Sequence, residues 1–183
     1  SWIDNFIYLN EQDRNADGIA DRVEPDFSGD VSEIVTEEGD PLLVNHEQAD
    51  ARLYGIEINN RITLFSQAAQ TLDMRLWADY VRGKLRDGQN LPRITPWRVG
   101  AGLDYHHGNW LFYVDSTFVS RARELAEVET ASDSYVQLTL GASVDLAWSD
   151  DVQASWFPRG TNLLDEEIRP QTSFVKDLAP QEG

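Results

Sequence analysis

DARLYGIEINNRITLF, residues 50–65, runs through the link SQAAQ, residues 66–70, into TLDMRLWADYVRGKL, residues 71–85. In the first run Tyr54, Ile56, Ile58, Ile62 and Leu64 share one side of an extended chain, and Gly55, Glu57, Asn59, Arg61 and Thr63 share the other. Asn60 is its one polar intruder. The second run repeats the division, with Leu72, Met74, Leu76, Ala78 and Tyr80 opposed to Asp73, Arg75, Trp77, Asp79 and Val81. Successive side chains of a strand point to opposite faces, so alternation of this kind predicts two strands with an apolar and a polar face, joined by a short link.

The rhythm continues outward in both directions. Downstream, after a loop at residues 86–96, Trp97, Val99, Ala101, Leu103 and Tyr105 oppose Arg98, Gly100, Gly102, Asp104 and His106. A tight HHGN turn, residues 106–109, precedes a strand over residues 110–121 whose alternation is weaker because Leu111 and Tyr113 fall on the polar side. Beyond a loop at 122–134, residues 135–148 give the cleanest strand, with Val136, Leu138, Leu140, Ala142, Val144, Leu146 and Trp148 on one face. An SDD turn, residues 149–151, leads to a strand at 152–159, within which Pro158 removes a ladder hydrogen bond. Upstream, a strand at residues 2–9 is followed by an acidic segment, 10–46, whose Asp, Glu, Gly and Pro content supplies no core. The expected fold is all-β, an antiparallel meander of about seven long strands whose connections alternate long and short.

Strand length and aromatic placement decide what such strands are for. Soluble sandwich strands run about five or six residues, whereas a tilted strand crossing hydrocarbon needs about nine to eleven. Several strands here reach that length, with short turns at one end, long loops at the other, and aromatics at both ends of the apolar face. With the short links at the periplasmic side, Tyr105, Trp110 and Trp148 form the lower rim, and Tyr54, Tyr80 and Trp97 the upper. The expectation is part of a transmembrane β-barrel with long extracellular loops. Seven strands with an open edge do not close such a barrel, so the sequence is expected to be a fragment, lacking earlier strands and a closing one. The alternative is a calcium-stabilised soluble β-sandwich for adhesion or carbohydrate binding, whose facing sheets would bury the same alternation.

Composition narrows the chemistry. A formal net charge of -17 argues against nucleic acid as a partner and admits metal cations or cationic substrates. No Cys is present, which excludes disulfides, thiolate metal sites and cysteine nucleophiles in this chain. No apolar run is long enough for a spanning helix. Without a nucleophile-elbow motif, and with the histidines in turns or at loop ends, the chain is not read as an enzyme.

RGTNLLDEEIRPQTSFVKDLAPQEG, residues 159–183, resembles the penultimate-strand and last-loop motif of TonB-dependent outer-membrane receptors. ADARLYGIEI, residues 49–58, is similar to the receptor strand opening on an aromatic-Gly-acidic element, and NLPRITPWRVGAGLDY, residues 90–105, to the receptors' Pro-Arg loop and following strand. TSFVKDLAP is most similar to a subgroup that includes zinc- and haem-linked receptors. The resemblance implies a Gram-negative outer membrane, lipid around the wall, a small scarce nutrient as ligand, and TonB acting through a plug domain that this sequence does not contain. This chain alone is then not expected to transport. It also implies that the inward-facing Arg61, Arg75, Asp79, Arg98 and Asp104 are candidates to contact plug or substrate.

DRNADGIADRVE, residues 13–24, carries its own local chemistry. Asp13, Asn15 and Asp17 alternate, Gly18 permits a sharp bend, and Asp21 and Glu24 follow at the ninth and twelfth positions of a calcium loop. With the Ile19 carbonyl these six residues present the oxygen set that hard Ca²⁺ takes, here as a loop flanked by strand and acidic coil rather than by two helices. Imidazole being a good zinc ligand, His46, His106 and His107 raise a zinc question, and His46 beside Glu47 and Asp50 is the best placed of them.

Overall fold

The computed structural model describes residues 2–14, 16–23, 34–35, 42–149 and 152–178. Ten strands occur among them: β1 Trp2–Glu11, β2 Arg22–Val23, β3 Ile34–Val35, β4 Val44–Gln67, β5 Gln70–Leu85, β6 Arg98–His107, β7 Trp110–Val119, β8 Tyr135–Ser149, β9 Val152–Trp156 and β10 Arg159–Gly160. One antiparallel sheet takes the order β1-β4-β5-β6-β7-β8-β10, with β9 also on β8, and β2 and β3 form a small separate pair. The meander is therefore the one expected from the alternation.

Its turns are tighter than the sequence suggests. Gln67 pairs with Gln70, leaving two residues at the β4–β5 turn, where Ala68 takes φ +46. His107 pairs with Trp110 around Gly108, whose φ of +59 suits a residue without Cβ. Other boundaries differ for physical reasons. The strand expected at 50–65 starts at Val44, because Glu11 to Phe6 of β1 pair with Val44 to Ala49, and backbone pairing extends a strand through residues with no apolar period. The strand expected over 152–159 is two pieces. Pro158 has no N–H to donate, and its carbonyl accepts from the Ala142 N–H at 3.1 Å before β10 rejoins β8 at Gly141.

Part of the acidic segment is more tightly held than its composition predicts. Gln12 and Leu43 bond across at 3.0 Å, Asp21 donates to Gln12 at 2.7 Å, and Leu43 donates to Asp21 at 2.9 Å. Ala20 and Asp21 are buried as a result. Residues 24–33 and 36–41 lie outside the described part.

Register aligns the side chains in rows across the sheet. On the apolar face one row reads Ile58, Ala78, Val99, Phe118, Val136, and another Ile62, Met74, Leu103, Val114, Leu140. No described element covers this face: Ile56 is 62% exposed, Ile58 55% and Leu140 54%. A packed sandwich would bury these residues, so that alternative falls. Tyr54, Tyr80 and Trp97 stand at the long-loop end of the face and Trp110 at the short-turn end, stacked on Phe112 at 5.7 Å. Trp148, expected beside Trp110, has its side chain outside the described part.

What core there is sits at the long-loop end of the polar face. Ala51, Leu85 and Leu91 are buried with Phe6, Tyr8, Ala49, Leu53 and Ile94 around them. Gly83 makes room for it, since a Cβ there would lie 2.7 Å from Leu91 and 3.0 Å from Ile94. The β5–β6 loop thus folds over the polar side of the sheet.

Candidate functional site

Four rows make the middle of the polar face. They read Glu57, Asp79, Arg98, Val119, Tyr135; then Asn59, Trp77, Gly100, Thr117, Gln137; then Arg61, Arg75, Gly102, Asp115, Thr139; then Thr63, Asp73, Asp104, Tyr113, Gly141. Arg61 and Arg75 are directly paired, and like charges so placed repel. Aspartates in the same and adjacent rows resolve this. Asp104 takes Nε and Nη2 of Arg75 at 2.7 and 2.8 Å and lies 3.5 Å from Arg61, while Asp73 lies 3.8 Å from Arg61 and accepts from the Thr63 hydroxyl at 2.7 Å.

Arg75 also reaches Asp115 at 2.9 Å, across the bare backbone of Gly102. A Cβ on Gly102 would lie 2.3 Å from Asp115 Oδ1 and 3.0 Å from Arg75 Nη2. Two aromatics use neighbouring glycines likewise: a Cβ on Gly100 would enter the Trp77 ring, and one on Gly141 the Tyr113 ring, both within 2.3 Å. Arg98 binds Asp79, at 3.1 Å to each oxygen from Nε and 3.0 Å from Nη2, with its guanidinium 5.7 Å from the Trp77 centroid.

All five residues expected to face inward, Arg61, Arg75, Asp79, Arg98 and Asp104, therefore share one face. Arg61, Arg75 and Asp104 form one ion network, and Asp79 with Arg98 a separate pair. Sequence reasoning passed over Asp73, Trp77, Gly102 and Asp115. The first three carried a legible signal in their position on the polar face, but Asp115 lay on the strand whose facing was ambiguous. With Glu57, these rows hold five carboxylates to three guanidiniums, a wall that attracts cations.

At the long-loop end a buried charged cluster joins four segments. Arg93, from the β5–β6 loop, meets Glu11 at 2.6 Å, donates to the Ser173 carbonyl at 2.6 Å and lies 3.7 Å from the Phe174 ring centroid. Glu129, from the β7–β8 loop, accepts the Arg93 N–H at 2.9 Å and the Gln171 amide at 2.7 Å. Lys176 donates to the Thr130 carbonyl, and Thr130 donates to Asp177, which lies 3.5 Å from Arg22. Glu11 and Lys176 are nearly sealed from solvent. Burial pushes the Glu11 carboxyl above its ordinary value of 4.5, against the pull of Arg93, and pushes the Lys176 ammonium below 10.5.

In the acidic segment Asp13 accepts the N–H groups of Asp17 at 3.1 Å and Gly18 at 2.9 Å, Asp17 accepts that of Ile19 at 2.9 Å, and Gly18 has φ +84. Asp21 folds back to accept the Arg14 N–H at 2.8 Å, and its other oxygen, Oδ1, is buried and accepts no hydrogen bond. Asn15 and Glu24 lie outside the described residues. Among the described residues no three His, Asp or Glu side chains gather closely enough to hold a metal. His46 pairs in register with Leu9, and His106 and His107 sit far away at the short-turn end.

No curated protein sequence matches the chain. Among solved structures it is similar to the copper transporter OprC, with TM-score 0.60 and 18% identity over 93% of this chain and 22% of that one. Such identity speaks for a shared fold, and the chain spans only that fraction of the transporter. The family model for TonB dependent receptor-like, beta-barrel matches residues 1–163. The uncovered apolar face, the ion-paired polar face and the long-loop, short-turn alternation fit that match, and the chain belongs to the TonB-dependent receptor β-barrel family.

Proposed function

We propose that the chain forms part of the wall of a Gram-negative outer-membrane receptor that takes up a scarce metal or metal chelate by TonB-dependent import. One observation carries the reading: in a chain of this family, a single sheet leaves one face apolar and uncovered and lines the other with paired charges. Lipid meets the first face, and the acidic surplus of the second suits a cationic cargo. Plug and TonB, the energy source in this family, act through portions of the receptor outside these residues. That OprC is a copper transporter supports a metal as cargo.

The polar rows themselves offer oxygen and guanidinium rather than thiolate or thioether, since Met74 lies on the apolar face and the chain has no Cys. This segment therefore steers and contacts the cargo, and soft-metal selection is the work of other parts of the receptor. Uptake of copper, zinc and haem iron by cells producing the whole receptor tests the reading. Accumulation should exceed that of receptor-less cells and stop when a protonophore collapses the inner-membrane gradient. Accumulation of none of the three above the receptor-less level would end it.

Residues 13–24 are proposed to hold a structural Ca²⁺, with Asp13, Asn15, Asp17, Asp21, Glu24 and the Ile19 carbonyl as oxygen donors. Support comes from the buried, unpartnered Asp21 Oδ1, an oxygen that a cation in the loop would engage. Calorimetric titration of a peptide spanning residues 10–30 should show calcium-dependent heat that Asp17→Ala abolishes. No heat above background at millimolar calcium sinks the assignment.

A further inference from the structure

We propose that the apolar wall carries, just beyond its long-loop-end aromatics, a site for a phosphate-bearing lipid of the surrounding leaflet. It rests on the membrane reading above. Register places Arg82 opposite Tyr54, and Lys84 opposite Arg52, on the side of the sheet that bears Ile56 and Ile58. Arg52 lies 5.5 Å from the Trp2 ring centroid and 5.6 Å from that of Tyr54. The β7–β8 loop adds Arg121 and Arg123, which line a cavity of about 410 Å³ together with Tyr80, Trp97 and Phe118. Trp97 and Phe118 are in ring contact at 5.3 Å.

An acidic chain of net charge -17 has thus placed three of its 15 Lys and Arg residues at neighbouring positions on one face, with two more lining the adjoining cavity. Their acidic neighbours only partly offset them. Glu124 pairs with Arg82, Asp133 lies 3.5 Å from Arg121 with both side chains largely exposed, and Asp50 in the next row is taken by Arg86 at 3.1 Å. Arg52, Lys84 and Arg123 have no carboxylate partner among the described residues. Cations beside aromatics at the end of an apolar face match an amphiphile with a phosphate head and acyl tails: guanidiniums grip the phosphate oxygens, and the tails lie along Ile56, Ile58 and Val99.

The test uses the whole receptor in an uncharged detergent, titrated with dihexanoyl phosphatidic acid, dihexanoyl phosphatidylcholine or inorganic phosphate and read by native mass spectrometry. Phosphatidic acid should bind at least tenfold more tightly than phosphatidylcholine. Arg121→Gln with Arg123→Gln should weaken it by about thirtyfold, about fivefold for each cation taken from an anionic lipid surface. Glu124→Gln, which frees Arg82, should tighten it, and a gain cannot come from misfolding. Equal binding of phosphatidylcholine would leave only an acyl groove. Displacement by equimolar inorganic phosphate would mark a free-anion site, and unchanged affinity in the variants would remove the arginines from the site. Each of these outcomes overturns the proposal. Flotation with phosphatidylcholine vesicles separates the two readings: a receptor that fails to insert defeats the membrane assignment, whereas one that inserts without phosphate preference defeats this inference alone.

Discussion

Asp104 stands between two guanidiniums that strand register sets side by side. Replacing it by Asn removes the charge that both face and leaves Arg61 and Arg75 in mutual repulsion. Asp104→Asn is expected to cost about 2 kcal/mol, as loss of hydrogen bonds to charged groups does, read as a lower unfolding midpoint. Gly102→Ala should cost about 1–3 kcal/mol by forcing Asp115 and Arg75 apart, with the same readout. The sequence shows that these residues share a face, because period two requires it. Who binds whom was not legible, since Arg75 reaches Asp115 only once β6 and β7 are in register and position 102 is bare.

Among elements, the loop cluster is where polar burial is most consequential. Arg93→Ala leaves Glu11 buried without its counter-charge, and should destabilise the long-loop end by about 3 kcal/mol. Faster proteolysis of the β5–β6 and β7–β8 loops, with the strands still resistant, would register the change. Glu11 also gives a pH dependence of definite sign. Its folded-state value lies above 4.5, so between that raised value and pH 4.5 the folded chain holds a proton that the unfolded chain has released. Stability of the wild type relative to Glu11→Gln should therefore grow as pH falls through this window and level off below it, as followed by thermal unfolding at several pH values. None of this was readable beforehand. Loops lack a period, and Glu11, Arg93, Glu129 and Lys176 come from segments far apart in the chain that only folding brings together.

For the molecule as a whole, the two faces should respond in opposite ways to the same charge. Leu76, in the row between the aromatic ends of the apolar face, should cost roughly 2–4 kcal/mol when replaced by Arg, whereas Thr117→Arg on the polar face should be tolerated. Folding into lipid vesicles in urea compares the two, and equal penalties would contradict a lipid-facing wall. The meander was legible because its alternation is long, as in residues 135–148. Alternation alone does not distinguish acyl chains from a second sheet, and the choice needed the uncovered face of the folded chain. The hydrocarbon layer needs about eleven residues of a tilted strand, and β4 has 24. Its surplus is held by β1 from Val44 to Arg52 and by the outer end of β5 from Ala51 onward, so this strand carries its pairing well past the aromatic end of the face. Movement of this strand beyond the aromatic end is then the swaying of a stiff ribbon, on the slower timescale of collective motion, rather than the quick flicker of slack coil.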